Sequence, residues 1–595
     1  MKHIRMISAL LAAVVLAGSL SACGGATGSA AASGGASSDS TAVSAPAQEV
    51  EETAVVLSDS GVTVDGAAAG TDPVAAVYLS NDILYYEDRE TYDSGNPYGE
   101  GTEDERHTAE EAAAHTVVNI TAPGAYRLSG TLSQGQIRVD LGEEAKTDPT
   151  AVVALILDGV DLKCGVAPAI LFLNVYECDN GWDAETATSQ VDTTAAGANL
   201  VLADGSVNRV EGSHVARIYK DSGDAKKLWK QDGAVYSYMS MNVNGGVAGT
   251  GRLELTADNE GMDTELHLTI NGGCINIRSG NDGINTNEDG VSVTTINGGD
   301  LHIIAGLGEE GDGIDSNGWL VINGGTVVAS ANPAADAGLD SDMGSYVNGG
   351  TVVALGSTMD WAESDSEQVT MNLQFADFKA SDSAIVVTRE DGTVVFAYDP
   401  SEDEVLGSNT RRYMGAVISC PEFAVGETYQ VYIGGEVTGT EVGGVYSEVT
   451  GCTGGAQQAY TGTDVGRGGF GGRGGMGGQR PDLPEGELPE MPEGGFTGGM
   501  RGERPELPEG EQPRMPEGGF EGRGGPRGEF AEGELPEGGF GGMDGERPEL
   551  IEGELPEMPE GGFEMDENGM FTTGEPVSGF YMQDKVNAFS GVADL

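Results

Sequence analysis

A phrase of Ile or Val followed by Asn-Gly-Gly recurs through the middle of this chain, and its spacing restricts the fold more than any other feature. The asparagines of four copies, Asn271, Asn297, Asn323 and Asn348, are 26, 26 and 25 residues apart. Such a period is typical of solenoids, whose repeats bury their apolar faces only against one another. The intervening apolar residues are mostly Ile and Val in short runs between Gly, Asn and Asp, which disfavours helices and leucine-rich repeats. We therefore predict an all-β fold built on a parallel β-helix.

Shifts in composition divide the rest of the chain. The turn sequence Asp391-Gly392 between two β-forming runs predicts a hairpin, and hence a small β-module after the β-helix. The segment that follows repeats phrases rich in Gly, Pro and Glu, which bury too little apolar surface to offset the entropy of ordering, so we predict a disordered tail. The expected organisation is a signal peptide at 1–22, a Ser/Ala/Gly-rich linker and lead-in at 23–75, the parallel β-helix at 76–360, the β-module at 361–452 and the tail at 453–595.

The N-terminal segment has the pattern of a secretion signal. Lys2 and Arg5 precede a short apolar run that ends in small residues. Its last four residues, Leu20-Ser21-Ala22-Cys23, resemble the bacterial lipobox, in which the cysteine is acylated and becomes the mature N-terminus. We expect lipidation of Cys23 and anchoring at the extracellular face of the bacterial cell membrane. The alternative is an ordinary signal peptide with a chance cysteine.

The charge of the chain restricts its partners. Asp and Glu number 96 against 30 Lys and Arg, which gives a formal net charge of -66. Nucleic acid is excluded, because its phosphates would be repelled and no basic face is available to release counterions. The remaining ligand classes are cations, neutral molecules, and anions that are held through a metal.

Acidic and amide residues recur in register with the repeat. Aligning the coils on one glycine of each repeat stacks these residues in columns on both sides of an apolar position. Neighbouring parallel strands lie about 4.8 Å apart, where two carboxylates repel by about 3–4 kcal/mol at an effective dielectric of about 20. Ca²⁺, which takes about six to eight oxygen ligands, would relieve this repulsion, and a solvated acidic face is the alternative. The predicted calcium ligands are Asp263, Asp282, Asn285, Asp312, Asp315, Asn317, Asp336, Asp340 and Asp342.

Several blocks of the chain resemble a known family. They are "ITAPGAYRLSGTLSQGQIRVD", "VVALILDGVDL", "GTGRLELTADNEGM" and the coils "NDGI…INGG…GDGIDSNGWLVINGG", which together cover about residues 119–355. The sequence is similar here to calcium-dependent, carbohydrate-binding β-helix proteins of clostridial and related bacteria. The resemblance implies a right-handed parallel β-helix of the pectate-lyase type, bound calcium, and affinity for plant cell-wall polysaccharide such as polygalacturonate or cellulose. Residues 181–240 depart from the family pattern and read as insertions.

Three functions remain open on the sequence. The first is a surface protein that binds polysaccharide and is not an enzyme, with Trp319, Tyr346 and Trp361 as candidate sugar-stacking residues or, alternatively, packing residues. The second is a polysaccharide lyase, which needs a basic residue beside the acids. Arg278 is the one Lys or Arg between residues 253 and 378, so the lyase is disfavoured. The third is an adhesin or scaffold whose tail carries the interaction.

Overall fold

The computed structural model of the chain describes residues 51–86, 106–179, 183–215, 218–219, 227–229, 231–357, 360–380, 383–400, 412–465, 564–565 and 571–595. All of them belong to one compact unit, made of residues 1–476 and 561–595. The second unit, 477–560, lies outside the described residues, as do the expected signal peptide and Cys23. The described residues contain no helix that is long and apolar enough to cross a membrane.

The described part of the chain is nearly all β, which confirms the all-β part of the predicted fold class. Its only helices are α1 (Ala109–Ala113) and a 3₁₀ turn at Glu143–Thr147. The strands before residue 357 are β1 (Glu52–Leu57), β2 (Thr63–Val64), β3 (Ala67–Ala68), β4 (Val77–Ser80), β5 (Thr116–Ile120), β6 (Gly124–Leu132), β7 (Gly135–Val139), β8 (Val153–Lys163), β9 (Ile170–Phe172), β10 (Ala198–Leu202), β11 (Val207–Gly212), β12 (Ile218–Tyr219), β13 (Lys227–Trp229), β14 (Gly233–Ser237), β15 (Met241–Asn244), β16 (Arg252–Ala257), β17 (Glu260–Thr264), β18 (Leu268–Ile270), β19 (Cys274–Ser279), β20 (Ile284–Thr286), β21 (Val293–Ile296), β22 (Asp300–Ile304), β23 (Ile314–Ser316), β24 (Trp319–Ile322), β25 (Thr326–Ser330), β26 (Gly344–Val347) and β27 (Thr351–Gly356).

Most of these strands form three parallel ladders. The first ladder runs β6, β8, β10, β15, β18, β21, β24, β26. The second runs β8, β11, β16, β19, β22, β25, β27, and it shares the long strand β8 with the first. The third runs β5, β7, β9, β14, β17, β20, β23. From β16 onward, each repeat of the sequence adds strands to the ladders in turn.

The interior side chains of the third ladder show why the repeat folds in this way. Met262, Ile284 and Ile314 are register partners, and Leu339 continues the column through a parallel bridge to Ile314. All four are buried in one apolar core that runs along the ladders. Each such side chain contributes about 1.5–3 kcal/mol by leaving water, so the period of the repeat is set by the need to stack them.

The asparagines of the repeated phrase form a ladder of their own. Asn297 Nδ2 donates to Asn271 Oδ1 at 2.9 Å, and Asn323 Nδ2 donates to Asn297 Oδ1 at 2.9 Å. Asn348 extends the row by donating to Asn323 at 3.0 Å. These asparagines link one repeat to the next and are structural.

The C-terminal module closes on the last strands of the ladders. Its strands are β28 (Thr370–Lys379), β29 (Ile385–Arg389), β30 (Val394–Tyr398), β31 (Tyr413–Ser419), β32 (Thr428–Ile433), β33 (Glu436–Val442), β34 (Val445–Thr453), β35 (Ala456–Val465), β36 (Glu564–Met565), β37 (Phe571–Val577), β38 (Phe580–Tyr581) and β39 (Val586–Asp594). β27 pairs antiparallel with β31, and Val353 and Leu355 of β27 lie in the core of the module. The predicted hairpin at Asp391-Gly392 is confirmed, since it joins β29 to β30.

Two of the expected boundaries are wrong. The linker and lead-in expected at 23–75 already includes a strand of the main fold, because β1 pairs with β6 and buries Val55 and Leu57 in the main core. The tail expected at 453–595 does not start at 453, because β35 pairs with β39, and β39 also pairs with β28 in the heart of the module. Both ends of the supposed tail are therefore folded. The disorder expected for 466–563 lies outside the described residues.

Candidate functional site

The outward face of the third ladder carries a central column of acids and amides. Asp263, Asn285 and Asp315 are register partners on β17, β20 and β23. Because the neighbouring residues in each strand point into the core, these three point away from it. Asp340 continues the column, since its backbone N–H donates to Ile314 O at 2.8 Å. The sequence alignment of the coils therefore predicted the neighbours in this column correctly.

A second column lies on one side of the first, and its carboxylates bind the backbone of the next repeat. Asp312 N–H donates to Asp282 Oδ1 at 2.7 Å, and Ala337 N–H donates to Asp312 Oδ1 at 2.6 Å. Ala337 occupies the position where a fourth acid would stand. Asp336, one residue earlier, accepts a hydrogen bond from Gly311 N–H at 2.8 Å instead.

A third column lies on the other side, where amides dominate. Asn287 Nδ2 donates to Asp263 Oδ1, which ties this column to the central one. Asn317 Nδ2 donates to Asn287 O at 2.8 Å. Asp342 N–H donates to Ser316 O at 3.0 Å, which places Asp342 at the exposed end of the column. The three columns together are called the acidic face below.

Burial of the acidic face makes its negative charge costly. Burial raises the pKa of Asp282 well above the usual carboxyl range, and the charges of Asp315 and Glu260 add to the rise. Burial and then the charges of Asp340 and Asp315 raise the pKa of Asp312 in the same way. Among the described residues, no basic side chain is a main influence on the pKa of Asp282 or Asp312, so the ionised face needs positive charge from elsewhere.

Asp360 joins the acidic face at its C-terminal end, and the sequence alignment missed it. Burial and the neighbouring Asp340 raise the pKa of Asp360 to about 8. Ser341 N–H donates to both carboxylates, at 2.9 Å to Asp340 Oδ1 and 3.2 Å to Asp360 Oδ2. The step from Asp340 to Asp360 is shorter than the repeat, so the period gave no signal for it. Burial also raises the pKa of Asp336 and Asp342.

Two amide oxygens in the acidic face are buried without a hydrogen-bond donor. They are Asn285 Oδ1 and Asn287 Oδ1, which find no partner among the described residues. The nitrogen of Asn285 is satisfied, because it donates to Glu260 Oε1 at 3.0 Å. A buried acceptor without a partner costs about 1–3 kcal/mol. A cation among these oxygens would remove that cost, and oxygen-only donors are what Ca²⁺ selects.

The described residues contain no group of three His, Cys, Asp or Glu side chains already gathered as a metal site. The acidic face also contains the side-chain amides of Asn285, Asn287 and Asn317. Its donor set therefore fits a hard, oxygen-seeking cation and does not fit zinc, which prefers nitrogen and sulfur.

Two of the aromatic candidates, Trp319 and Tyr346, lie on the first ladder, whereas Trp361 directly follows Asp360 in the chain. Trp319 is 8% exposed and packs in an apolar cluster with Val293 and Val321, against which Tyr346 and Val191 also lie. Trp361 packs against the main core. The structure thus places Trp319 among packing residues, under the segment that departs from the repeat.

Arg278, the lyase candidate, lies on a different ladder from the acids. It is half-buried on β19 of the second ladder, in register with Thr256 and Ile304. The acidic face lies on the third ladder. Arg278 is therefore on a different ladder from the carboxylates.

Residues 114–394 match the family model of carbohydrate-binding domain-containing proteins. The match begins just before β5 and ends at β30, so it includes all three ladders and the acidic face. The family description names binding and no reaction, in agreement with the expectation that the chain is not an enzyme.

One curated relative is a carbohydrate-binding domain-containing protein of Acetivibrio thermocellus. It is 28% identical over 163 residues, which are 27% of this chain and 45% of the relative. The chain thus spans less than half the length of that relative. No solved structure matches the chain significantly.

Proposed function

We propose that the protein binds plant cell-wall polysaccharide, polygalacturonate or cellulose, through a calcium-loaded parallel β-helix at the bacterial cell surface. The observation that carries the binding function is the family match over 114–394, which covers the ladders. The cell-surface location rests on the lipobox-like sequence that ends at Cys23.

The three ladders support a β-helix. Successive strands along the chain, such as β18, β19 and β20, belong to the first, second and third ladders in turn. The next three, β21, β22 and β23, repeat this order one step further along. A chain that visits three parallel ladders in a fixed order winds as a coil. We propose the right-handed form, which parallel crossovers strongly favour.

The acidic face supports calcium as the bound metal. A bound calcium ion would supply the positive charge that this face lacks and could bridge to a sugar carboxylate. Asn285 supplies an unsatisfied amide oxygen, and its neighbours supply carboxylates with raised pKa values. The residues proposed to hold calcium are Asp263, Asp282, Asn285, Asp312, Asp315, Asn317, Asp336, Asp340 and Asp342.

The charge of the chain makes calcium relevant to the choice of polysaccharide. Polygalacturonate is an anion, and a protein with a net charge of -66 repels it. Calcium bound to the acidic face would replace this repulsion by attraction at that face. We therefore expect polygalacturonate binding to require calcium.

The test is a calcium titration of the full chain after treatment with a chelator. Melting temperature and binding to polygalacturonate and to cellulose are measured at each step, together with absorbance from unsaturated uronides. We expect calcium to raise the melting temperature and to switch on polygalacturonate binding without new absorbance. If neither the polysaccharide binding nor the melting temperature changes with calcium, the metal assignment is refuted. An increase in absorbance from unsaturated uronides would instead establish a lyase.

A further inference from the structure

The C-terminal module contains a cleft of about 250 Å³, far along the chain from the acidic face. It lies where β29 and β32 meet the open end of the β33–β34 hairpin, beside the turns that enter and leave the hairpin. Val386 and Tyr432 are register partners on β29 and β32 and form one side of the cleft. Glu436 and Cys452, on β33 and β34, line the other side.

Two of the glycines that line this cleft lie in turns and have positive φ angles. Gly434, in the turn between β32 and β33, has φ +77°, and Gly392, in the turn between β29 and β30, has φ +86°. A Cβ built on either one would meet no heavy atom within 4 Å, so both face open space. The positive φ angles require glycine there, and the same choice leaves the backbone bare toward the cleft.

The lining of the cleft combines an aromatic ring with oxygen groups. Tyr432 is half-buried, and Val386 beside it is buried. Thr388 adds a hydroxyl, and Glu436 adds an exposed carboxylate. The carbon face of a sugar ring stacks on an aromatic side chain, and its hydroxyls donate to a carboxylate and accept from a threonine hydroxyl. A pyranose would therefore find a partner for each of its two kinds of surface.

The charge of the lining selects among sugars. None of the ten lining residues is Lys, Arg or His, and Glu436 is negative. A uronate carboxylate would meet repulsion there and no compensating cation. The volume lies slightly below the roughly 300 Å³ at the small end of ordinary ligand pockets, which suits a single ring. The cleft therefore fits one unit of a neutral glycan.

We propose that this cleft is a second carbohydrate-binding site, which takes one neutral pyranose unit of a polysaccharide chain without a metal. The inference rests on the proposed function, because it assumes that polysaccharide is the ligand. It divides that function between two sites. The acidic face serves uronates and depends on calcium, whereas the cleft serves neutral glucans and does not. Most of its lining comes from residues 432–455, beyond the matched residues 114–394.

Cys452 allows the cleft to be blocked chemically. Among the described cysteines it is the exposed one, whereas Cys164 and Cys420 are buried. The full chain is treated with a bulky maleimide, and binding of cellohexaose is then measured in the presence of a chelator that removes calcium. We expect labelling to lower cellohexaose affinity at least tenfold and cellohexaose to slow the labelling of Cys452. The C452S variant should bind cellohexaose with or without the reagent.

A pair of surface variants provides a second measurement. We expect Glu436→Gln to weaken cellohexaose binding severalfold, while Glu448→Gln, an exposed residue on the same hairpin, should leave it unchanged. Polygalacturonate binding in calcium should be normal in both. Normal cellohexaose binding by the labelled protein or by the Glu436→Gln variant would overturn the cleft site. Failure of the untreated chain to bind cellohexaose would overturn it as well. If the untreated chain also fails to bind polygalacturonate in calcium, the proposed function falls with it.

Discussion

At the scale of one residue, the ionised carboxylate of Asp282 would disfavour folding without a metal and favour the binding of one. Its carboxylate is buried beside other acids, so its ionisation opposes folding, yet Asp312 N–H donates to it. An asparagine would keep that acceptor and lose the charge. The same substitution should therefore have opposite effects with and without calcium.

We predict that Asp282→Asn stabilises the chelated protein by about 0.5–3 kcal/mol, the usual size of a single-substitution effect. In calcium it should instead lower the apparent calcium affinity at least tenfold, because a charged ligand is lost. Denaturant unfolding and calcium titration measure the two effects. The control is Asp161→Asn, at an exposed acid on the second ladder, which should change neither the stability of the chelated protein nor the calcium affinity. Destabilisation of the chelated protein would contradict the prediction.

Asp360 predicts a pH dependence. Its pKa rises from 3.8 to about 8 on folding, so the folded state holds the proton more tightly. The stability from this group is therefore fully present below pH 3.8 and is lost as pH rises to about 8. In chelator, the melting temperature of the wild type relative to Asp360→Asn should fall across that window. A difference that is constant with pH, or that grows toward high pH, would contradict this origin of the shift.

At the scale of elements, a contact can be predicted from the sequence when both of its residues belong to the repeat. The stacking of Asp263 under Asn285 was readable, because one period fixes both the core column and its neighbours. Asp360 was missed because its step breaks the period. Trp319 is packed against Val191, which belongs to an insertion outside the repeat, so no local sequence pattern predicts this contact. The pairing of β28 with β39 joins residues more than two hundred positions apart, and the cleft needs four separate strands and turns.

The last strand, β39, gives a prediction about truncation. Phe589 and Val592 of β39 are buried in the core of the module, together with Phe580 of β38. Each contributes about 1.5–3 kcal/mol. A chain ending at residue 452 should therefore lose the module's cooperative melting transition. Deletion of 477–560 alone removes no described strand and should leave that transition in place, as calorimetry of the two variants can check. Equal melting of the two variants would show that neither β39 nor the other strands after residue 452 stabilise the module.

At the scale of the whole molecule, the net charge of -66 acts on the fold as well as on ligands. Like charges brought together by folding repel one another more than in the extended chain, and salt screens this repulsion. Calcium on the acidic face would remove the part of it that arises among the stacked carboxylates. Salt and calcium should therefore partly substitute for each other, although they act at different ranges.

We predict that, in chelator, raising NaCl from about 0.01 M to about 0.1 M increases the melting temperature by several degrees. Over this range the screening length falls from roughly 30 Å to roughly 10 Å, which screens charges further apart than about 10 Å but not neighbouring carboxylates in a column, at about 4.8 Å. The same titration in saturating calcium should give a smaller increase, because the closest charges are already compensated. Salt therefore cannot replace calcium fully, and the calcium-loaded protein should melt higher at every salt concentration. Equal salt dependence in both conditions would mean that calcium does not act by neutralising the acidic face.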